Sequence, residues 1–580
     1  MRKNMTYNDL KKNIKRNKDK EYGESLNIAV LGDTATQFIS TAIEGMGFEY
    51  GLRANVYDAE YDSINTEILD PSSGLFAEKR DYTVIYMSAE KLCEHYQDTP
   101  VSERRNFAVN TAARIEGYWK KLIDTGSRII QFNFNKLDTG VFGNFALKEE
   151  SSFEYQLIKA NMLLSELAVK YKNAFIIDID AIKSRLGEDA FCDRKFYFQA
   201  RMSMSFEAIV EAVKQLYDIM LALKGRLRKC LILDLDNTLW GGVIGDDGLK
   251  GIEIGELGAG RAYTDLQRWC LELEKRGVLL AVCSKNDEDT AKEPFLKHPD
   301  MVLHLEDFAV FVANWEDKAA NIRYIQKTLN IGMDSLVFVD DNPFERNLVK
   351  ELIPEITVPE LPEDASEYLS YLQSLHLFET VSFSEEDHKR TEQYRTEAQR
   401  KNAQEVFSNI DDYLKSLEMT AVAKPFDEFH FPRIAELSQR SNQFNLRTIR
   451  YSEEDIKRIA GSDGYLTLYF TLKDKFGDYG LVSAVIIEKR AENEGFIDTW
   501  FMSCRVLKRG CEEFIINSVV EEAKNAGIGR LTGQYIPTAK NKMVADIYEK
   551  MGFTPLQDGL FTLEVNTYTP HICHIERSLI

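Results

Sequence analysis

Side chains that can do chemistry end three apolar segments in the middle of the chain. The first segment ends in two aspartates one residue apart, the second in a serine and the third in a pair of aspartates. A lysine at a predicted helix start lies between the second and third segments. In chain order these residues are Asp234, Asp236, Ser284, Lys318, Asp340 and Asp341. Removing an unpaired carboxylate from water is costly, so a buried segment does not normally end on one without a partner.

A metal ion is the simplest partner for these carboxylates. Side chains two apart on a strand point to the same side, so Asp234 and Asp236 are expected to face one object. Crowded carboxylates raise one another's pKa unless a cation lies between them. A hard divalent cation with oxygen ligands, most simply Mg²⁺, meets that need. The predicted ligands are Asp234, Asp236, Asp340 and Asp341. The alternative interpretation is that Asp234 and Asp236 belong to an ordinary strand-end turn and that Lys318 is an ordinary surface lysine. The presence of all four elements (the first aspartates, the serine, the lysine and the aspartate pair) in this order favours a functional site.

The elements that position these residues are predicted strands alternating with helices. The strands are assigned to 229–236, 277–284, 301–307 and 334–341. Such alternation indicates a parallel sheet, whose sites lie at the carboxyl ends of the strands. Between the first and second strands the chain has room only for a short hairpin (241–254) and one helix. The site is therefore expected to lack a cap domain and to be open to a large substrate.

The same logic predicts the organisation of the rest of the chain. The fold class is α/β multidomain, with two doubly wound parallel-sheet domains followed by an α+β domain. The predicted parts are a basic leader (1–24), a first domain (25–225), a central domain (226–380), a charged connecting helix (381–407) and a tail (408–580).

Composition excludes several classes of protein. A net charge of -21 over 580 residues argues against a nucleic-acid or anionic-membrane partner. The leader has no apolar segment behind it, and no run of roughly 18 apolar residues occurs. Eight cysteines without CxxC pairs fit a reducing compartment. These features predict a cytoplasmic protein.

The central domain resembles the haloacid dehalogenase (HAD) superfamily of phosphotransferases. DLDNT (234–238) matches its first motif, and the serine, lysine and aspartate pair follow in the family's order. The resemblance implies that Asp234 is a nucleophile that becomes an aspartyl phosphate, and that Asp236 is a general acid and base. Ser284 and Lys318 would hold phosphoryl oxygens. Mg²⁺ would be held by Asp340 or Asp341 together with Asp234 and the backbone carbonyl of Asp236.

A closer resemblance is to FkbH-like proteins, a branch of the HAD subfamily IIIC. It rests on LDLDNTLWGGVIGDDG, LLAVCSKND and VFVDDNPFERN. It implies an enzyme of polyketide or related biosynthesis that removes phosphate from an acyl phosphate such as 1,3-bisphosphoglycerate. The glyceryl unit would pass to the phosphopantetheine arm of an acyl carrier protein. Cys283 is the candidate acyl-carrying thiol, although a lone cysteine in an apolar strand is also a small core residue.

The flanking domains resemble two other families. VLGDT (30–34) is similar to the nucleophile turn of SGNH-type esterases, but Thr34 replaces the serine and Phe196 stands where a histidine is expected. Only His95 occurs before residue 229. A serine–histidine pair thus lacks its nucleophile and its base, and the domain is predicted to be non-catalytic.

The tail contains, in order, RSNQFNLRT (440–448), FGDYGLVSAVII (476–487), SCRVLKRGCEE (503–513) and NKMVADIYEKMGF (541–553). This order resembles a GNAT acetyltransferase. A turn ahead of a helix suits the pyrophosphate of coenzyme A or acetyl-CoA, but the loop has only one of the expected glycines. The basic turn could instead contact a carrier protein, or be a solvated turn. The candidate residues are Arg505, Lys508, Arg509, Gly510, Asn541 and Tyr548.

Three hypotheses about function remain. The first is a Mg²⁺-dependent HAD-type phosphatase and acyltransferase that loads a three-carbon unit onto a carrier protein. The second is a stand-alone phosphatase acting on a small metabolite or a phosphoprotein. The third is a non-enzymatic binding scaffold, against which the complete set of site residues counts.

Overall fold

The computed structural model describes residues 5–383, 391–392, 394, 409–491, 493–538 and 540–578. These residues form two compact units, which divide between residues 220 and 221. The predicted connecting helix (381–407) lies largely outside the described residues. Within the described ranges, no helix has the length and apolar character needed to cross a membrane.

The first unit contains a five-stranded parallel sheet in the order β2-β1-β3-β4-β5. Its strands are β1 Ser25–Gly32, β2 Arg53–Asp58, β3 Tyr82–Tyr86, β4 Arg128–Phe132 and β5 Ala174–Ile177. Four of them correspond to the apolar runs at 27–34, 81–88, 127–134 and 173–180, which predict strands, whereas β2 has no such run. The apolar residues of β1 and β3 are almost completely buried, as expected for strands covered by helices on both faces.

Helices surround this sheet, beginning with one inside the predicted basic leader, where Leu10 is fully buried. Its α-helices are Tyr7–Asn17, Gln37–Gly47, Ile64–Leu69, Ala89–Asp98, Phe107–Asp124, Phe153–Lys170, Ile179–Leu186, Glu188–Phe191, Arg194–Ala200 and Phe206–Leu223.

The second unit contains the predicted central domain, a four-stranded parallel sheet in the order β8-β7-β6-β9. Its strands are β6 Cys230–Leu233, β7 Leu279–Ser284, β8 Phe308–Ala313 and β9 Leu336–Val339. Its α-helices are Ile244–Gly251, Gly258–Lys275, Glu288–Lys297, Lys318–Leu329, Pro343–Leu352 and Tyr368–Ser374. Separate apolar clusters cover the two faces of the sheet, which confirms the predicted helix–sheet–helix layering.

Two predictions for this domain were wrong in detail. The strand predicted over 301–307 is displaced to β8, because the backbone N–H groups of Val302 and Leu303 donate to the side-chain oxygen of Gln267 instead of to a strand. The hairpin predicted over 241–254 is largely the helix Ile244–Gly251. Only one antiparallel bridge, between Gly241 and Glu253, remains of that hairpin.

The tail is an α+β region built on an eight-stranded mixed sheet, in the order β15-β16-β14-β13-β12-β11-β10-β17. Its strands are β10 Met419–Lys424, β11 Tyr465–Asp474, β12 Gly477–Ala491, β13 Glu494–Met502, β14 Arg530–Gln534, β15 Thr554–Pro555, β16 Leu560–Glu564 and β17 Ile575–Arg577. Its α-helices are Ile410–Ser416, Phe431–Arg440, Glu453–Ala460, Cys511–Asn525 and Ile547–Lys550. β13 and β14 are parallel neighbours only as far as Ile497 and Gly533, and they separate beyond that pair.

Candidate active site

The carboxyl ends of adjacent parallel strands bring the predicted aspartates together. Leu233 of β6 is in register with Val339 of β9, so Asp234 and Asp340 follow equivalent positions on neighbouring strands. The backbone N–H of Asp234 donates to the carbonyl of Val339 at 3.0 Å, which extends this alignment past the strand end. Asp341, whose N–H donates to Thr238 Oγ1 at 3.2 Å, is thereby fixed beside them.

Lys318 lies between two of these carboxylates. Its Nζ is 2.8 Å from Asp234 Oδ2 and 2.5 Å from Asp340 Oδ2, and its side chain is only 3% exposed. Burial by itself lowers the pKa of Lys318, but the charges of Asp234 and Asp340 outweigh it and raise that pKa above its ordinary value. Lys318 therefore remains a cation, held at the start of its helix where Asp317 caps the backbone.

The three carboxylates can also hold a metal ion. One oxygen from each of Asp234, Asp340 and Asp341 lies within 4.8 Å of the others. Asp234 Oδ1 is buried and has no hydrogen-bond partner, a costly state that a cation would relieve. Burial and the charge of Asp234 raise the pKa of Asp340 to about 6 and also raise that of Asp341. This donor set, made only of carboxylate oxygens, fits Mg²⁺.

The side chain of Asp236 points to other partners than the carboxylate cluster. Its Oδ1 accepts from Trp240 Nε1 at 2.9 Å and from the Ile244 backbone N–H at 3.0 Å. Because β6 ends at Leu233, the strand alternation that was expected to place Asp236 beside Asp234 does not apply. Burial raises the pKa of Asp236. The hydrogen bonds from Ile244 and Trp240 oppose this increase, and the charge of Asp234 adds to it. A raised pKa suits a proton donor.

Sequence reasoning missed two residues of the site. Asn286 Nδ2 donates to Asp236 Oδ2 at 3.2 Å, and its place two residues after Ser284, at a strand end, was a usable signal. Arg346 donates from Nη1 to the backbone carbonyls of Asp340, at 2.8 Å, and Asp341, at 2.5 Å. Arg346 lies on the following helix, so no local pattern indicated that its side chain returns to the strand end.

Ser284 and Cys283 end β7 on opposite faces of the sheet. Ser284 is the last residue of the strand, at the same edge as the carboxylates. Cys283 packs into the apolar cluster under the sheet, with its Sγ 3.7 Å from the backbone oxygen of Lys318. Burial raises the pKa of the Cys283 thiol well above its ordinary value. The prediction that Cys283 carries an acyl group is therefore wrong for this conformation, because its thiol is protonated and inaccessible.

In the first unit, hydroxyl groups occupy the turn that resembles an esterase. Thr34 Oγ1 is 3.5 Å from Ser203 Oγ, which in turn lies 2.7 Å from Tyr86 Oη. All three side chains are buried. Phe196 and His95, by contrast, are exposed on helices. Among the described residues, the side-chain group that lies within hydrogen-bond distance of Thr34 Oγ1 is thus another hydroxyl, and the non-catalytic role of the domain stays a prediction.

The basic turn of the tail does not present its arginines to a ligand outside the molecule. Arg505 and Arg509 are buried. Arg505 Nε donates to Ser503 Oγ at 3.2 Å, and Arg509 contacts the hydroxyl of Tyr479. Among the cations of the turn only Lys508 is exposed, so the prediction of a carrier-binding surface built from all three was wrong.

The gap between β13 and β14 is filled by the chain itself. Where the two strands separate, Met502 N donates to Phe444 O at 3.0 Å and Leu446 N donates to Trp500 O at 3.2 Å. On the other side, Ile536 N donates to Leu446 O at 2.9 Å. The backbone groups that could bind an extended cofactor arm at this gap are therefore already used within the protein.

The remaining tail residues are equally inaccessible. Asn541 is fully buried, and its Nδ2 donates to Asn445 O and Ile536 O, both at 3.0 Å. Tyr548 is buried too; its hydroxyl has no partner and burial raises its pKa. With a single glycine, Gly510, in its loop, this region does not fit coenzyme A.

Comparisons with known proteins agree with this architecture. Residues 27–221 match the family model "FkbH, N-terminal domain". The solved N-terminal part of a Bacteroides fragilis protein, containing a phosphatase domain complexed with Mg, is 44% identical, with a TM-score of 0.63; the match covers 65% of this chain and 100% of that chain. No curated protein matches by sequence.

Solved acetyltransferases match the tail. The Escherichia coli ribosomal-protein-S18-alanine N-acetyltransferase is 15% identical over 26% of this chain and 99% of that chain, with a TM-score of 0.20. A GNAT-family acetyltransferase from Streptococcus pneumoniae is 17% identical over 25% of this chain and 99% of that chain, also with a TM-score of 0.20. Scores this low add nothing about the chemistry of the tail, whereas the N-terminal model and the Bacteroides fragilis structure together settle the family. The chain belongs to the FkbH family, with a HAD-type domain at its centre.

Proposed function

We propose that the central domain is a Mg²⁺-dependent HAD-type phosphatase in which Asp234 is the nucleophile. The observation that carries the proposal is Asp234 Oδ1, which is buried without a hydrogen-bond partner between Lys318 and two further carboxylates. Mg²⁺, when bound by Asp234, Asp340 and Asp341, would supply positive charge to the phosphoryl group and keep these carboxylates ionised.

The chain's own residues define the chemical steps. A carboxylate oxygen of Asp234 forms a bond to phosphorus while the bond from phosphorus to the substrate oxygen breaks. Asp236 gives its proton to the leaving oxygen and then accepts a proton from the water that releases phosphate from Asp234. Lys318 and the Ser284 hydroxyl offset the charge that develops on the phosphoryl oxygens. Arg346 holds the backbone of the aspartate pair by its two hydrogen bonds.

The substrate is proposed to be an acyl phosphate of three carbons, such as 1,3-bisphosphoglycerate, with an acyl carrier protein as acceptor. The phosphopantetheine thiol of the carrier would attack the acyl carbon, and the phosphate on that carbon would leave. Asp234 would remove the phosphate that is bound as an ester. Because Cys283 is buried in the core, the proposal assigns no enzyme-bound thioester to it.

The openness of the site supports a macromolecular acceptor. Residues 237–283 and 285–317, all described, contain helices and the core strands β7 and β8 but no cap domain. Two large apolar side chains flank the site motifs in the sequence and are exposed: Trp315, 76% exposed and three residues before Lys318, and Phe344, 68% exposed and three residues after Asp341. Exposed aromatic side chains of this size are typical anchors for a protein partner.

The stand-alone phosphatase is the second candidate, since the carboxylate cluster alone would support it. A binding scaffold is the weakest, because a scaffold has no use for a buried carboxylate oxygen without a partner. Acetyl transfer by the tail is not proposed, because the residues of its loop and gap do not fit coenzyme A.

One experiment separates these functions. The full chain is incubated with Mg²⁺, 1,3-bisphosphoglycerate and a phosphopantetheinylated carrier, and the carrier is weighed by mass spectrometry while released phosphate is measured. A glyceryl mass gain supports the transferase, and phosphate release without that gain supports the phosphatase.

The control variants are Asp234→Asn, which removes the nucleophile, and Asp558→Asn, an exposed aspartate of the tail. If neither activity occurs and Asp234→Asn behaves like Asp558→Asn, the enzymatic proposal is wrong.

A further inference from the structure

A groove lies along one edge of the five-stranded sheet in the first unit. β2 is the outermost strand on that side, and its partner in the sheet is β1. The groove has a volume of about 780 Å³, and five consecutive residues of β2, from Arg53 to Tyr57, line it. The rest of its lining comes from the helices Tyr7–Asn17 and Gln37–Gly47, the residues that follow each helix, and the segment 74–80. The outer edge of the sheet is therefore bordered by an open space.

Every second residue of β2 directs its backbone groups away from the sheet. The N–H of Arg53 donates to the carbonyl of Glu24 at 3.0 Å, and that of Ala59 donates to the carbonyl of Val30 at 3.0 Å. The odd-numbered residues therefore face β1. Because successive residues of a strand present their N–H and C=O groups to opposite sides, the even-numbered residues, with Val56 at their centre, point outward. Among the described strands none pairs with β2 on that side, so the edge can accept an extended peptide.

The groove also carries a surplus of positive charge. Lys15, Lys18 and Arg53 line it, are exposed, and form no ion pair within the part of the chain that the structure describes. One further arginine of the lining is paired with a glutamate and adds no net charge. Burial raises the pKa of the other acid of the lining, Glu44, which favours its neutral form. In a chain of net charge -21, a groove with these cations favours an acidic ligand.

We propose that the groove along β2 binds an acidic segment of a partner protein, which adds to the sheet as a further strand. The backbone of the segment would pair with the outward groups around Val56, while its carboxylates would meet Lys15, Lys18 and Arg53. β2 has six residues, so the bound segment has a similar length. Nucleic acid would match the charge of the groove, but it has no peptide groups with which to extend a sheet. This binding site lies within the first unit and is independent of the proposed phosphatase chemistry.

The test measures binding of the full chain to a fluorescent acidic peptide, GEEVEEG, by anisotropy at low salt. Val56→Pro removes an outward N–H while leaving the hydrogen bonds of its neighbours to β1, and it should weaken binding about 10-fold or more. Lys15→Glu combined with Lys18→Glu should weaken binding about 10-fold, and added salt should weaken binding by the parent. Lys121→Glu, an exposed lysine of the same unit that does not line the groove, should leave binding unchanged.

Modified peptides test the same contacts without changing the protein. Peptides N-methylated at the odd or at the even positions lose the donors on one side of the strand, so at least one of the two should lose binding. The basic peptide GKKVKKG should not bind, because its charge has the same sign as the groove.

Several outcomes would overturn the proposal. Binding of GEEVEEG that neither Val56→Pro nor peptide methylation weakens would mean that no strand is added. Equal binding of GKKVKKG would exclude recognition of acidic side chains. Failure of the parent to bind GEEVEEG, with a dimer that Val56→Pro dissociates, would identify a second copy of the chain as the occupant of the edge. These measurements involve no phosphate release or carrier loading, so failure here leaves the proposed enzymatic function intact.

Discussion

Each of the two parallel sheets, taken separately, has a buried aspartate just after its first strand. Asp33 follows β1 and is 5% exposed, and Asp234 follows β6 and is 7% exposed. Both oxygens of Asp33 accept from the backbone N–H of Ser88, at 2.9 and 3.2 Å. Asp234 instead keeps one oxygen without a partner and has Lys318 and further carboxylates around it.

The surroundings of these two aspartates distinguish a chemical site from a structural contact. Burial and strand-end position are common to both aspartates, so neither property identifies chemistry. Both oxygens of Asp33 are satisfied by the backbone N–H of Ser88, which joins the end of β1 to the residues that follow β3. Asp234 is held among like charges with an unsatisfied oxygen, an arrangement that favours a cation and leaves an oxygen available as a nucleophile.

The largest expected effect comes from exchanging each aspartate for asparagine. Asp234→Asn removes the nucleophile and should lower phosphate release by on the order of 10⁴-fold or more. Asp33→Asn should leave phosphate release within about twofold, since its carboxylate accepts hydrogen bonds from the backbone of Ser88, in the first unit. Steady-state phosphate release by both variants checks this. Equal losses would mean that the two aspartates do not differ in role.

Removing the cation between the carboxylates should destabilise the central domain. Lys318→Met leaves Asp234 and Asp340 buried and unpaired, at a cost of about 3–5 kcal/mol in free energy of unfolding. Mg²⁺ should recover part of this loss, because it supplies the missing positive charge. Urea unfolding with and without Mg²⁺ measures both effects.

The matched control is Lys292→Met, which breaks an exposed ion pair with Glu288 in the same domain and should cost less than about 1 kcal/mol. A loss in Lys318→Met that Mg²⁺ does not reduce would contradict a metal site at these carboxylates.

Apolar runs in the sequence made most of the fold predictable. The position of β8 was predicted wrongly because a side chain, not a neighbouring strand, accepts the hydrogen bonds of the predicted segment. The runs at β6, β7 and β9 are short and flanked by polar residues, so their positions were found within two or three residues. The run at 301–307 looks similar, but Gln267 takes its N–H groups and leaves it without strand partners. A contact 35 residues away is invisible to a local pattern.

The site was predictable as a set of residue types, but not as a geometry. Asp234, Lys318 and the aspartate pair converge because parallel strands end at one edge, a rule that a sequence reveals. The direction of Asp236 depends on a turn in which Asn237 has a φ of 53°, and no alternation rule covers that conformation. The burial of Cys283 follows from the helix Lys318–Leu329 packing over its face of β7, and that contact exists only in the assembled sheet.

The carboxyl group of Asp33 should also link stability to pH. Burial raises the pKa of Asp33 to about 7, although hydrogen bonds from Ser88 oppose the shift. Between the unfolded value of 3.8 and about 7, the unfolded state binds fewer protons at this position, so stability falls as pH rises through that window. The size is on the order of 4 kcal/mol at most, at ~1.4 kcal/mol per pKa unit. Above about pH 7 the contribution is constant.

Asp33→Asn removes this dependence. Hydrogen exchange of the β1 amides, measured in parent and variant across the pH range, should give a stability difference that changes between pH 4 and 7 and is flat above. A difference that does not vary with pH would show that the Asp33 carboxyl is ionised throughout, with its hydrogen bonds from Ser88 outweighing burial.

The smallest expected effect concerns access of a carrier protein to the proposed active site. In the first unit Asp33, Thr34 and Ser88 are buried, whereas Trp315, three residues before Lys318 in the sequence, is exposed. Trp315→Ala should raise the KM for a carrier protein about 5- to 10-fold, as expected when one interface anchor is lost. Phosphate release from a small substrate should stay within twofold, because the exposed side chain of Trp315 is proposed to bind the carrier and not the phosphoryl group. Phe429→Ala, an equally exposed aromatic of the tail, is the control. A change in kcat for the small substrate would instead place Trp315 in the chemistry itself, whereas an unchanged KM for the carrier would place the docking surface elsewhere.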